Sequence, residues 1–272
     1  MQLLVFLCLC VICVAGVFGS KHTGDVKQCG VEASTNLIHH NPWLVYLEYY
    51  NHVGLKKNIR CAATLIDSRH AVTAAHCVKK TLFSRLVARL GEYDVSTVAD
   101  CVGGVCADPV VRINVIDVIV HEGYDGSKDD IAVIVLESDA PYTDFIRPIC
   151  LPTGSIPHDA IFSAAGWGEL TYTHIYSNIK KIIPLPHWSV ESCKNAYRNS
   201  ILPAKIICAG GEEGIDTCRG DSGGPLTLNK GAIEFWGVTS SGNVHCGTQG
   251  SPGIYTSVQD HLEWLENVVR AF

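Results

Sequence analysis

Short apolar runs alternate with turn-forming residues along most of the chain. The runs are rich in β-branched and aromatic residues, and Gly, Pro, Asn and Asp separate them. This pattern is typical of an all-β barrel or sandwich. The runs cover residues 43–49, 62–67, 86–90, 110–120, 131–136 and 232–238.

Helical periodicity is strong only near the C-terminus. There Val258, Leu262, Leu265 and Val269 would share one face of a helix, with Thr256–Ser257 as its N-terminal cap. No repeat and no Pro-, Gly- or Ser-rich linker divides the chain. We therefore expect one compact β unit, which is compatible with two barrels, followed by an amphipathic helix.

The first residues have the pattern of a secretory signal peptide. Residues 3–17 are a continuous apolar run, small residues follow at Gly19 and Ser20, and residues 21–28 are polar. A membrane anchor is the alternative, but it needs about 20 apolar residues. We expect a signal peptide at residues 1–19, a short segment at residues 20–28, and a secreted, extracellular protein without a membrane association.

Charge and cysteine content narrow the function. A net charge of −6 among 272 residues, with no Lys/Arg run, argues against nucleic acid and leaves other proteins as the expected partners. Three of the 13 cysteines lie in the signal and ten lie beyond it. An even number in an oxidising compartment, with no paired C-x-x-C, favours five disulfides over a zinc site.

The strongest motif runs from Asp216 to Pro225 and reads Asp-Thr-Cys-Arg-Gly-Asp-Ser-Gly-Gly-Pro. A nucleophilic serine needs a base for its proton and backbone N–H groups aimed at the oxyanion, and neighbouring glycines let that backbone approach a substrate. An Asp/Gly-rich turn is the alternative for a shorter motif. The ten residues together favour Ser222 as a nucleophile.

Two further motifs supply a base and an acid. His76 ends the stretch Val-Thr-Ala-Ala-His, and Asp130 directly precedes the apolar strand that begins at Ile131. Alone, each would be a structural histidine or a turn acid, but a carboxylate entering a barrel needs a hydrogen-bond donor such as an imidazole. Of the adjacent acids Asp129 and Asp130, the second is the better candidate because the apolar strand follows it directly.

With these motifs the chain resembles the chymotrypsin/trypsin family of serine endopeptidases from about Cys29 to its C-terminus. Further matching segments are Asn41-Pro-Trp43, Arg147-Pro-Ile-Cys-Leu-Pro152, Ala165-Gly-Trp-Gly168 and Ser251-Pro-Gly-Ile-Tyr255. The resemblance implies a protease domain over residues 29–272, built from two six-stranded antiparallel β-barrels and a C-terminal α-helix. It also implies His76, Asp130 and Ser222 as the catalytic triad, with the N–H groups of Gly220 and Ser222 as the oxyanion hole.

The resemblance further implies a specificity and a set of disulfides. Asp216 would lie at the floor of the primary pocket and favour Arg or Lys, Gly242 and Gly253 would leave room for a long side chain, and Ser240 would bind the catalytic acid and the substrate backbone. The implied pairs are Cys29–Cys150, Cys61–Cys77, Cys101–Cys106, Cys193–Cys208 and Cys218–Cys246. The small loop and the tether at Cys29 are similar to the catalytic domains of arthropod clip-domain proteases, but no six-cysteine clip module precedes Cys29.

One family feature is missing from the sequence. Relatives are activated by cleavage after a basic residue, and the new N-terminal ammonium pairs with the acid before the catalytic serine, which is Asp221 here. The corresponding stretch Cys29–Pro42 contains no Arg or Lys. Three explanations stay open: a poorly active, zymogen-like protease, an incomplete sequence of an active one, or an unusual activation route. A non-catalytic, protease-like binding or regulatory protein is the competing class.

Remaining expectations concern ligands and partners. Glu92, with Asp94 or Asp100, offers oxygen ligands for calcium, but an ordinary solvated acidic loop is favoured and no metal or cofactor is expected. The other histidines carry no partner pattern and are expected at the surface. The resemblance implies protein substrates with Arg or Lys at the cleavage site, serpin-type inhibitors and cascade proteases as partners, and a monomer.

Overall fold

Two closed antiparallel β-barrels of six strands each form the body of the protein, as the family resemblance implies. The computed structural model describes residues 29–78, 83–170 and 175–272. The expected signal peptide and the segment at residues 20–28 lie outside the described residues.

The first barrel is built from the N-terminal half of the chain. Its strands, with the hairpin β5–β6 between them, are β1 (Leu44–Tyr50), β2 (Ala62–Leu65), β3 (His70–Thr73), β4 (Arg85–Leu90), β5 (Cys101–Val102), β6 (Val105–Cys106), β7 (Val111–Val120) and β8 (Ala132–Leu136). The barrel closes in the order β1-β2-β3-β8-β7-β4. Every residue of β8 is buried, which agrees with an apolar run that has no polar alternation.

The second barrel follows the same plan in the C-terminal half. Its strands are β9 (Ile161–Gly166), β10 (Lys181–Trp188), β11 (Ile206–Gly210), β12 (Pro225–Asn229), β13 (Ile233–Ser241) and β14 (Pro252–Ser257). They close in the order β10-β11-β14-β13-β12-β9. Large side chains such as Phe162, Trp236 and Tyr255 fill its core, and burying each of them stabilises the fold by a few kcal/mol, roughly 2–3.

Helices are short and lie outside the barrels. They are α1 (Ala75–Val78), α2 (Val190–Ala196) and α3 (Leu262–Ala271), with 3-10 turns at Leu37–His39 and Gln259–His261. The expected C-terminal helix is present, but it begins at Leu262 rather than near Val258, because Val258 is fully buried and a 3-10 turn follows it. Among the described residues, no helix has the length and apolar content to cross a bilayer.

Five disulfides join the ten described cysteines in the pairs that the resemblance implies. They are Cys29–Cys150, Cys61–Cys77, Cys101–Cys106, Cys193–Cys208 and Cys218–Cys246. Cys61–Cys77 holds the turn that carries His76, and Cys218–Cys246 joins the loop before Ser222 to the loop before β14. Both candidate catalytic segments are therefore covalently tied to their surroundings.

Candidate active site

His76 and Asp130 meet in the first barrel although 54 positions separate them. β3 delivers His76 at the start of α1, and Asp130 lies directly before β8, the neighbour of β3 in the barrel. The Asp130 carboxylate accepts the His76 backbone N–H at 2.8 Å and lies 2.8 Å from Nδ1 of the ring. This pair fixes the ring orientation and assigns the Nδ1 proton to the carboxylate side, which leaves Nε2 as the basic nitrogen.

Asp130 is buried and has further donors. The Ser240 hydroxyl donates to its Oδ2 at 2.6 Å, and the Thr256 hydroxyl donates to its backbone carbonyl at 3.0 Å. Burial by itself would raise the pKa of Asp130, but the hydrogen bonds from His76 and Ser240 and the nearby imidazole hold that pKa below its usual value. The carboxylate is therefore kept ionised by residues of this chain alone.

Ser222 lies beside the segment that carries His76. Its carbonyl accepts the N–H of Ala62 at 2.8 Å and lies 3.6 Å from Sγ of Cys77. Gly223 has φ of +79° and no space for a Cβ, which would lie 2.3 Å from the Ala62 carbonyl oxygen without the backbone moving. Glycine is required there because this close approach brings the serine loop against the first barrel.

The loop before Ser222 presents free backbone donors. Gly220 has φ of +99°, in the left-handed region that favours glycine. Within the described part of the chain, the N–H groups of Gly220 and Ser222 donate to no backbone or side-chain acceptor. Two unpaired N–H groups beside a serine form an arrangement that can bind an oxyanion.

The Asp216 carboxylate has no cationic partner in the part of the chain that the structure describes. Its Oδ1 is shielded from solvent and has no hydrogen-bond partner among the described residues, whereas Oδ2 accepts the Gly247 N–H at 3.3 Å. Burial raises the pKa of Asp216 to about 6. A Cβ on Gly253 would lie 3.0 Å from Oδ1, and one on Gly242 would lie 3.7 Å from the Gly253 Cα. These two glycines keep the approach to the carboxylate open.

A cleft beside Gly242 extends from the loop of Asp216 to Ser222. Thr217, the neighbour of Asp216, lines this cleft of about 280 Å³ together with Ser222 and residues 239–244. Ser241, which lies in this cleft, is exposed. The cleft has room for a substrate side chain between the nucleophile and the loop of Asp216.

Asp221 is a second acid of this barrel that forms no ion pair with residues 29–78, 83–170 or 175–272. Its carboxylate accepts the N–H groups of Gly168 at 2.7 Å and Cys218 at 2.9 Å. Burial raises the pKa of Asp221 to about 6, because these two hydrogen bonds offset only part of the lost hydration. Its position between Gly220 and Ser222 places this carboxylate next along the chain to the two unpaired N–H groups.

Two expectations for the remaining acids and histidines are wrong. His261 and His70 are buried, not at the surface, and each contacts an aspartate: Nε2 of His261 lies 2.8 Å from Asp129, and Nδ1 of His70 lies 2.9 Å from Asp67. Spacing could not reveal the first pair, because 132 positions separate its members. His261, Asp129 and His121 also place three potential metal ligands within 4.8 Å of one another.

The acidic loop after β4 is not simply solvated. Glu92 is 2% exposed and Asp100 is 6% exposed. Glu92 pairs with Arg89, and Asp100 accepts the backbone N–H groups of Tyr93 and Asp94 at 3.1 Å. These acids act as acceptors for their own loop, which explains why they can be buried.

Comparison with known proteins agrees with this geometry. The trypsin family model matches residues 30–265. Melanization protease 1 of Drosophila melanogaster is 40% identical over 93% of this chain and 70% of its own length. Phenoloxidase-activating factor 3 of Holotrichia diomphalia is 38% identical over 90% of this chain and 73% of its own length. The CLIP domain-containing serine protease HP8 of Bombyx mori is 37% identical over 88% of this chain and 71% of its own length.

The fold and the relatives define a serine-type endopeptidase. The chain belongs to the trypsin family, and its relatives include arthropod clip-domain proteases. The resemblance seen in the sequence motifs is therefore confirmed over most of the chain.

Proposed function

We propose that this protein is a secreted endopeptidase that cleaves after Arg or Lys, with His76, Asp130 and Ser222 as its catalytic residues. The names of its relatives place them in melanization and phenoloxidase activation. By analogy, the substrates are other proteins of an extracellular proteolytic cascade.

The chemistry follows from the hydrogen bond between Nδ1 of His76 and Asp130, which leaves Nε2 as the basic nitrogen. Nε2 of His76 takes the Ser222 proton as Oγ attacks the scissile carbonyl carbon, and the C–N bond breaks as the same proton passes to the leaving amine. Water then attacks the acyl-enzyme. Nε2 of His76 takes a proton from this water and returns it to Oγ of Ser222 as the acyl–oxygen bond breaks. Asp130 stabilises the imidazolium, and the N–H groups of Gly220 and Ser222 bind the oxyanion, each worth about 3 kcal/mol in the transition state.

One observation carries the specificity: Oδ1 of Asp216 is shielded from solvent and has no hydrogen-bond partner among the described residues. An Arg or Lys side chain that passes Gly242 and Gly253 supplies the missing donor and the missing positive charge. An apolar side chain would leave the carboxylate uncompensated, which is costly in a partly buried site.

Active-site labelling and turnover test the proposal. The wild type should react with a fluorophosphonate at Ser222 and hydrolyse an arginyl peptide substrate in preference to a phenylalanyl one. Ser222→Ala should remove the label and lower turnover by about 10⁴-fold or more. If the wild type neither takes the label nor cleaves any substrate after limited proteolysis by other proteases, the non-catalytic binding protein is the correct class.

A further inference from the structure

A cavity of about 240 Å³ opens beside the carboxylate of Asp221. Aliphatic side chains such as Ile182 and Ile215 line it, together with the acids Asp216, Asp221 and Glu169. Lys181 contributes the one cationic side chain among the described lining residues. Glu169 is already paired with Arg219 at 3.1 Å, so Asp216 and Asp221 are the acids of this described lining that have no cationic partner among the described residues.

The backbone partners of Asp221 donate hydrogen bonds but supply no positive charge. It accepts two N–H groups, from Gly168 and Cys218, and forms no ion pair with a described residue. An ionised carboxylate without a positive partner is costly to bury. An ammonium group that enters the cavity would be bound by that unbalanced charge.

The sheet register directs Lys181 towards Asp221. Lys181 of β10 lies directly opposite Gly166 of β9, so their side-chain directions share one face and their Cβ positions are about 5 Å apart. Gly166 has no Cβ, and one built there would collide with Oδ1 of Asp221. The four-carbon stem of Lys181 therefore starts next to the carboxylate and is long enough to reach it.

Gly166 and Gly168 leave the space that such a contact requires. Both glycines contact the Asp221 carboxylate, and a Cβ at either position would collide with its oxygen atoms. Lys181 is exposed and has no ion pair with a described residue, so no competing contact holds its ammonium. Its neighbour Lys180 differs, because it is buried and donates to the His40 carbonyl at 2.5 Å.

Residues of the stretch Cys29–Pro42, which precedes β1, are bound to other parts of the fold. Cys29 is bonded to Cys150, Gly30 exchanges backbone hydrogen bonds with Pro148 and Ile233, and the His40 carbonyl accepts Lys180. Cys29–Pro42 also contains no Lys or Arg. An ammonium for Asp221 is therefore available more directly from Lys181 than from a cleavage after a basic residue in this stretch.

We propose that the ε-ammonium of Lys181 enters this cavity and forms an ion pair with Asp221, which orders the oxyanion loop without an activation cleavage. This regulation rests on the proposed function, because the loop holds the Gly220 and Ser222 donors. Lys181 acts through Asp221 and is a positioning residue, since it contacts neither the substrate nor the reacting atoms.

Competitive acylation of the folded protein tests the ion pair without using activity. Acetic anhydride reacts only with the unprotonated amine, and a neighbouring carboxylate favours the protonated form, so Lys181 should react about tenfold more slowly than the exposed Lys194. In Asp221→Asn the two rates should become similar. Mass spectrometry of the same digest measures both lysines, and protein unfolded in guanidinium chloride calibrates their intrinsic rates.

Turnover of an arginyl peptide substrate tests the consequence. Lys181→Met should lower kcat about tenfold or more with a smaller change in KM, because the loss of one oxyanion donor costs that much or more. Lys181→Arg should retain most of the activity, and Lys194→Met should match the wild type. Isoleucyl-valine offers a free ammonium and aliphatic side chains that suit the cavity, and it should restore turnover to Lys181→Met.

The outcomes separate this inference from the proposed function. Equal acylation of Lys181 and Lys194 in the folded wild type overturns the ion pair, whatever turnover shows. Wild-type turnover that appears only when the dipeptide is added, with Lys181 still reactive, means that the cavity takes an ammonium from another chain and overturns the assignment to Lys181. A slow Lys181 in a protein without turnover or Ser222 labelling supports the ion pair and contradicts the protease function.

Discussion

The three buried aspartates of the candidate active site have different surroundings in the two barrels. In the first barrel, Asp130 receives two contacts from His76 and one from Ser240, and its pKa is held low. In the second, the described residues offer Asp216 and Asp221 backbone N–H groups alone, and burial raises the pKa of each to about 6. Asp130 therefore has an imidazole and a hydroxyl as partners, whereas Asp216 and Asp221 have no cationic partner among the described residues.

This difference separates the parts of the site that folding assembles from those that a ligand or a side chain completes. The His76–Asp130 pair needs no further group before it can act as a base. A substrate Arg or Lys would supply the positive charge for Asp216, and Lys181 would supply it for Asp221. Substitutions in the first barrel should therefore affect all substrates, whereas substitutions at Asp216 should affect basic ones selectively.

The largest expected effect is at Asp130. Asp130→Asn keeps the shape of the side chain but removes the charge that selects the His76 tautomer, and kcat should fall about 10⁴-fold. The loss should be the same for arginyl and lysyl substrates, measured by steady-state kinetics at pH 8. A loss confined to one substrate would mean that Asp130 acts in binding and not in catalysis.

A smaller and more selective effect is expected at Asp216. Asp216→Ser removes the partner of the substrate cation, and kcat/KM for an arginyl substrate should fall by about 10²- to 10³-fold. The preference for Arg over Phe should disappear, while fluorophosphonate labelling of Ser222 should continue. Equal losses for arginyl and phenylalanyl substrates would contradict a pocket role for Asp216.

The raised pKa of Asp216 gives a pH dependence that does not involve the triad. An amidinium ligand such as benzamidine binds only the ionised carboxylate, so its Kd should rise as the pH falls below about 6, by about tenfold per unit. Isothermal titration between pH 4.5 and 8 measures this dependence, with Asp216→Ser as the control. A Kd that is constant across pH 6 would mean that Asp216 does not bind the cation.

Sequence patterns predict the parts of this structure that depend on local order. Strand runs and the all-β class follow from alternation and turn residues, and Ser222 follows from a ten-residue motif. The contact of His261 and the position of Lys181 depend on how the chain closes into barrels. His261 and Asp129 are 132 positions apart, and Lys181 lies near Asp221 because it pairs with Gly166 across two strands. The start of α3 was also not predictable from local periodicity. Val258 is packed in the core, and the helix begins only at Leu262.

The smallest expected effect is at Asp129, the acid beside Asp130. Asp129 has φ of +47° and contacts Nε2 of His261 at 2.8 Å. Asn tolerates this backbone conformation, so Asp129→Asn removes only the charge and should cost about 1 kcal/mol of stability, or a thermal midpoint about 2–4 °C lower. Turnover should change less than threefold by this order-of-magnitude argument, because Asp130 keeps its own donors.

The pH dependence of that stability difference has a defined sign. Burial would raise the pKa of Asp129, but the hydrogen bond from His261 and the charges of His121 and Lys205 hold it below its usual value. The stabilisation is therefore complete above the ordinary aspartate pKa, near 4, and is lost as the pH falls through the lower folded-state value. Thermal unfolding of wild type and Asp129→Asn at pH 7 and pH 3 should show the gap narrowing. A turnover loss in Asp129→Asn as large as that in Asp130→Asn would instead mean that the charge next to the catalytic acid is part of the catalytic unit.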